Sequence, residues 1–156
     1  MSKLKNQLES RQFAERVFVE ISGAQLEAAR ANNSGVIEFE APQGSMLVGG
    51  FVRVLTAFTG TTPTLDIGDE IDDDRYTGTA IALQTVANTA ITADGFLFGV
   101  APNSNRMKLT YAIGGGTPTG AGRLLLSLEF VKLNKAYYTQ GNDSPPSAPP
   151  NPGPHL

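Results

Sequence analysis

The chain has 156 residues, 40% of them hydrophobic and 17% charged, with 17 Gly, 10 Pro and a formal net charge of -3. That length fits one domain with a core of its own, and the turn-rich, charge-poor composition disfavours coiled coils, helical bundles and collagen. No Cys is present and His155 is the single His, so disulfide frameworks, thiolate metal sites, Cys nucleophiles, a Ser-His-Asp triad and a two-His metal site are excluded within one chain.

An isoelectric point of about 5.1 gives no global field that would draw nucleic acid. No run approaches the ~18 apolar residues of a membrane helix, and the basic start Met-Ser-Lys-Leu-Lys is followed by no apolar stretch of a secretory signal. Neither nucleic acid nor membrane is an expected partner.

Residues 1–15 carry a thin helical stripe of Leu4, Leu8, Arg11 and Glu15. They read as an N-terminal arm that orders against a neighbour. Residues 16–21 (RVFVEI) alternate Val17, Val19 and Ile21 against Phe18 and Glu20, the period of a half-buried strand. Residues 23–31 hold good helix formers and stop at Asn32-Asn33-Ser34-Gly35, so a short helix is expected there. VIEFE (36–40) places Ile37 and Phe39 on one face, with Val36, Glu38 and Glu40 on the other.

A long strand is predicted over 46–58, with Val48, Val52, Val54, Thr56 and Phe58 on one face and Gly49-Gly50 marking a bulge or a close backbone approach. A turn at 59–64 leads to a short strand from Leu65 and then to an acidic loop. Residues 77–92 fit strand and helix equally well, whereas GFLFGV (95–100) reads as a compact apolar strand. RMKLTYAI (106–113) alternates Met107, Leu109, Tyr111 and Ile113 against Lys108 and Thr110. After a Gly-rich turn, RLLLSLEFVKL (123–133) is the strongest strand. Leu124, Leu126, Leu128 and Phe130 face in, while Leu125, Val131 and Leu133 share the outer face with Arg123, Ser127 and Glu129.

Six prolines fall between Pro145 and Pro154, and Pro neither donates to a ladder nor continues a helix. Residues 139–156 therefore read as a flexible, polyproline-like tail, leaving 16–138 as the body. Short strands separated by Gly/Pro turns make that body an all-β sandwich, jelly-roll-like or of another Greek-key order.

Six of the 15 acidic residues lie in the loop 66–74. Crowded carboxylates repel unless solvent or a cation intervenes. The loop is read as solvated, as one side of an ion-pair contact with another subunit through Asp69, Asp72, Asp73 and Asp74, or as a calcium site. Its spacing is not that of an EF-hand, so no metal and no cofactor is assigned. Paired carboxylates in one loop without an aromatic platform do not make a glycosidase, and Gly114-Gly115-Gly116 lacks the ending of a phosphate-binding loop. Tyr137 and Tyr138 cap the edge of the sandwich or meet another subunit.

Four segments, VGGFVRVLTAF, TPTLDIGDEIDDDRY, DGFLFGV and GAGRLLLSLEFV, together resemble the pattern of capsid decoration or cement proteins of tailed bacteriophages, over residues 48–131. The resemblance implies a β-sandwich that binds the outside of an assembled shell as a dimer or trimer and performs no chemistry. The expected partners are the major capsid protein and the chain itself, and the expected location is the outer surface of the virion. The candidate contact residues are Leu125, Val131, Leu133, Tyr137, Tyr138, Asp69, Asp72, Asp73 and Asp74. The alternative is a receptor- or glycan-binding module of a head fibre or tail, with calcium at the acidic loop; another virion component, such as a tail tube subunit, is a third reading. An enzyme is not expected.

Overall fold

The computed structural model describes residues 14–132. Residues 1–13 of the arm read over 1–15, the tail, the boundary at 138 and the candidates Leu133, Tyr137 and Tyr138 lie outside the described residues. In chain order the elements are β1 (Glu15–Ser22), α1 (Gly23–Asn33), β2 (Val36–Glu40), β3 (Ser45–Thr56), β4 (Thr64–Asp69), β5 (Ile81–Ala82), β6 (Asn88–Ala90), β7 (Arg106–Ala112) and β8 (Arg123–Lys132).

The strands form two four-stranded sheets, sheet A in the order β1-β8-β3-β6 and sheet B in the order β2-β7-β4-β5. All pairs are antiparallel. The first strand lies beside the eighth, the second beside the seventh, the third beside the sixth and the fourth beside the fifth. The chain is thus one long hairpin rolled into two layers, the jelly-roll order. The all-β sandwich expected from the alternation is present, and the strand order selects between the two topologies left open.

Alternate residues of each strand, with a change of parity at the bulge in β3, fill the space between the layers. Sheet A supplies Ile21, Leu47, Val52, Val54, Leu124, Leu126, Leu128 and Phe130, and sheet B supplies Leu65, Ile67, Met107, Leu109 and Tyr111, all buried. Helix α1 closes one end through Leu26, which is fully buried. Its start is a capping box: the backbone N–H of Gln25 donates to Ser22 Oγ at 3.3 Å, and the Ser22 N–H donates to Gln25 Oε1 at 2.8 Å. Its end is the left-handed Ser34 (φ 52°), where the predicted stop signal lies.

Two local expectations are corrected, and one left open, at 77–92, is resolved. GFLFGV is not a strand: Leu97 makes a single bridge to Met46, and left-handed Gly95 (φ 75°) and Gly99 (φ 68°) bend the segment at both ends. It instead drops Phe98 into the core, edge-on to Phe96 at 5.1 Å and to Phe130 at 6.1 Å. The segment 77–92 contains the two short strands β5 and β6 joined by turns, with no helix. In β3 a bulge falls between Leu47 and Gly49, so Val48 leaves the face of Val52 and Val54 and is exposed. Thr56 likewise lies beyond a second shift, between Val54 and Thr56, and is exposed.

Leu126→Ala and Leu128→Ala are each expected to cost about 2–5 kcal/mol, the range for truncating a fully buried Leu. Leu125→Ala, at the half-buried position of opposite parity, is expected to cost clearly less. Urea unfolding of the three variants checks the assignment of faces.

Candidate binding surfaces

The acidic loop begins where β4 ends. Asp69 is buried, and one of its oxygens accepts the N–H groups of Ile71 at 2.8 Å and Asp72 at 3.1 Å. Its other oxygen accepts from Arg75 Nε at 2.5 Å. Arg75 also donates to Asp94 at 2.7 Å and stacks its guanidinium 4.7 Å from the centre of the Phe96 ring. One cation thus ties the loop to the segment that carries Phe98. Gly68 permits the tight return, since a Cβ there would collide with the Asp72 carbonyl oxygen. Tyr76 then re-enters the core, fully buried, its N–H donating to the Ile67 carbonyl at 2.9 Å.

The titration of this region follows from the same geometry. The hydrogen bonds to Asp94 and Asp69 hold the Arg75 guanidinium firmly charged. Burial, and then the negative charge of Asp69, push the Tyr76 phenol up. Burial raises the Asp66 carboxyl above the usual carboxylate range, opposed by the Thr77 hydroxyl and helped by Asp73. A hydrogen bond that protonated Asp74 donates to Asp72, and then the negative charge of Asp72, raise the Asp74 carboxyl.

Asp69, expected at an intersubunit contact, is therefore engaged within the chain. Asp73 and Asp74 are exposed and Asp72 is half-buried. Asp73 lies 3.9 Å from Lys108, on the outer face of sheet B. That face also carries Arg106, 3.5 Å from Glu38 and 3.8 Å from Glu70. Exposed pairs at such distances contribute about 0–1 kcal/mol each. With Glu40 and Asp66 added, the outer side of sheet B is a solvated, predominantly acidic surface.

The outer face of sheet A has the opposite character. β8 contributes Leu125, Ser127 and Val131 to it, β3 contributes Met46 and Phe51, and β1 contributes Phe18. Phe18 is 57% exposed and the bulged Val48 36%. Ser127 lies in register between Phe18 and Phe51. It is buried, and its hydroxyl has no hydrogen-bond partner among the described residues. Charged pairs frame this row: Arg16 meets Glu129, and Arg123 lies 3.3 Å from Glu20. The candidate residues thus divide between two surfaces. Leu125 and Val131 belong to the apolar side and Asp72, Asp73 and Asp74 to the acidic side. Phe18, Met46 and Phe51 do not stand out in the sequence as contact residues, although the period of β1 already places Phe18 on the outer face.

Among the described residues no group of three or more His, Cys, Asp or Glu side chains is placed to hold a metal ion. No protein-family model matches the chain, and no curated protein matches it. Among solved structures, the cyanophage Pam1 capsid asymmetric unit is similar over 76% of this chain and 83% of that one, with 17% sequence identity and a TM-score of 0.46.

Arg75→Ala removes the cationic partner of the buried Asp69 carboxylate, leaving it only two backbone N–H donors, and is expected to cost about 3–5 kcal/mol by urea unfolding. Asp66 gives a signed pH test. Its raised folded-state pKa means that the folded chain holds this proton more tightly than the unfolded one. The stability it contributes is present at low pH and is lost as pH rises through the carboxylate range. Asp66→Asn should therefore raise the thermal midpoint at pH 7, and the gain should shrink as pH falls toward about 4.

Proposed function

We propose that the chain is a decoration or cement subunit of a tailed-bacteriophage head, docking on the outside of the shell through the outer face of sheet A. The observation that carries this reading is the group of apolar side chains Phe18, Phe51, Leu125, Val131 and Met46 on the outer face of sheet A, with Phe18 the most exposed of them. Contiguous apolar surface left at the outside of a folded domain marks a contact, and the four-segment resemblance to decoration proteins says what kind. The partners are the major capsid protein, whose neighbouring copies the subunit bridges, and a second copy of the chain. The location is the outer surface of the virion. No chemistry is involved: shell stability comes from modest contacts repeated by symmetry, whose joint avidity exceeds that of any one.

In this orientation the acidic outer side of sheet B faces solvent. That assigns Asp72, Asp73 and Asp74 to solubility and like-charge repulsion between decorated particles, with docking left to the apolar face.

Saturable binding to purified expanded shells, scored by microscopy and sedimentation, tests the proposal. Leu125→Glu should reduce occupancy at least tenfold (roughly, a charge set into an interface core) while its far-ultraviolet circular dichroism stays wild-type. Asp72→Asn, Asp73→Asn and Asp74→Asn combined should leave occupancy unchanged. Loss of binding in the triple variant alone moves the contact to the acidic side. A chelator-sensitive melting point together with glycan binding and no shell binding supports the receptor-binding alternative.

A further inference from the structure

Strand β1 ends sheet A: among the described residues it pairs with β8 on one side and with no strand on the other. An unpaired edge is a template for another chain, and folded proteins blunt such edges with Pro, bulges, short strands, charged side chains or a covering segment. In the middle of β1 the only such device among the described residues is charge, Arg16 and Glu20, of opposite sign and both on the outer face. The strand is 8 residues long and contains no Pro, and it runs beside β8 without a shift from Glu15↔Phe130 to Ser22↔Arg123. The residues it turns toward the core at its centre are Val17 and Val19, both only half-buried.

Residues 16–20 read Arg-Val-Phe-Val-Glu. Run antiparallel against itself, this sequence is self-complementary: Arg16 falls opposite Glu20, Val17 opposite Val19, and Phe18 opposite Phe18. Residues directly opposite in an antiparallel pair share a face. The two Arg/Glu pairs and the aromatic pair therefore all come on the outer side, and the Val pairs all on the core side. We infer that β1 pairs antiparallel with β1 of a second copy of this chain, about a two-fold axis at Phe18, joining the two A sheets into one.

Two features of the fold agree with this register. Within the chain, Phe18, Ser127 and Phe51 already lie in one cross-strand row. The axis extends that row through Phe18 of the second copy, so the exposed aromatic ring gains an apolar neighbour. Within the chain, Arg16 pairs with Glu129 and Glu20 with Arg123. Across the axis, each Arg16 then stands between Glu129 of its own chain and Glu20 of the other, and the charges alternate along the row. An isologous contact closes on itself, so an otherwise unprotected edge is used up without open-ended growth.

The inference goes beyond the decoration reading and is tested without shells. Light scattering of the full chain at micromolar concentration should give twice the 16.5 kDa of one chain. Arg16→Glu and Glu20→Arg each set like charges opposite one another twice per dimer, and each should weaken self-association roughly tenfold. The two variants mixed should recover the dimer, because the carboxylates of the first variant at both positions then face the guanidinium groups of the second. A merely structural role for either residue predicts no recovery on mixing. The chain contains no Cys, so Phe18→Cys gives a second readout. Cross-strand Cα atoms ~4.5–5.5 Å apart lie within disulfide range, and mild oxidation should yield a covalent dimer. A monomeric wild-type chain, a dimer indifferent to both charge reversals, failure of the mixture to recover, or absence of the covalent dimer would each overturn the pairing. A monomer that still saturates shells overturns only the pairing, and a dimer that ignores shells overturns only the decoration reading.

Discussion

The structure depends on where β8 sits. It is the last described strand, yet it lies inside sheet A between β1, the first, and β3. No local hairpin can put it there. The rolled order 1·8, 2·7, 3·6, 4·5 requires the most distant strands in the sequence to meet before sheet A is whole, and the loop-closure entropy of that meeting must be offset by what the meeting buries. The inward residues of β8 are Leu124, Leu126, Leu128 and Phe130, all essentially inaccessible. At about 1.5–3 kcal/mol for each such side chain fully buried, this strand contributes a large part of the apolar burial that closes the roll. The same position gives β8 two outer neighbours, and this is how Ser127 comes to be covered on a face that should be wet.

A second constraint operates at the other end of the sandwich. The stretch from Asp66 to Asp74 would repel itself if every carboxylate were equivalent, and the structure makes them unequal. Asp69 is withdrawn from water and fully supplied with donors, namely two backbone N–H groups and Arg75. A buried carboxylate is tolerated only with such a set. The remaining acids are left to solvent and to weak pairs with Lys108 and Arg106. The Leu-Asp-Ile-Gly-Asp and Asp-Arg-Tyr segments that stand out in the sequence are thus folding devices. Gly68 gives the close return, Asp69 the turn donors' partner, Arg75 the clamp and Tyr76 the anchor in the core.

Period-two alternation suffices to read β1, β2, β7 and β8 and their buried faces, because none of these strands carries the extra residue of a bulge; in the β3–β8 ladder the extra residues fall on β3. It fails where register is not constant. The bulge at Val48 reverses parity within β3, and a Gly-Gly pair announces such a bulge without saying which neighbour is displaced. GFLFGV misleads for another reason: an apolar run satisfies a strand and a core-filling loop equally, and only the tertiary position of Phe98 against Phe130 decides between them. The acidic loop is legible as a cluster but not as a hierarchy. Nothing in the sequence ranks Asp69 above Asp72, since the rank comes from Arg75 and from the end of β4. The apolar outer side of sheet A is half legible. Leu125 and Val131 can be seen on one strand, whereas their union with Phe18 and Phe51 depends on strand order, which alternation does not encode.

The two outer sides of the sandwich differ in a way that neither core packing nor solubility requires. A monomer in water would gain by placing polar residues at Phe18, Phe51 and Leu125, as it does at Glu38, Lys108 and Thr110 on the other sheet. Apolar residues scattered singly would need no explanation; here Phe18 and Phe51 flank Ser127 in one cross-strand row, with Leu125 in the next row on the same face. The charges around that row are themselves arranged as opposite-sign pairs, Arg16 with Glu129 and Arg123 with Glu20. They frame the apolar residues, and only Arg53, exposed opposite Leu125, is joined to no acidic side chain by an ion pair among the described residues. Contact with another protein surface therefore desolvates mostly paired charges, which lowers the penalty for covering the face. On sheet B, by contrast, Glu40, Asp66 and Asp74 are joined to no basic side chain by an ion pair among the described residues, and covering them would strand negative charge. Electrostatics and hydrophobicity therefore distinguish the two outer sides in the same sense, the sense that the proposed docking through sheet A requires.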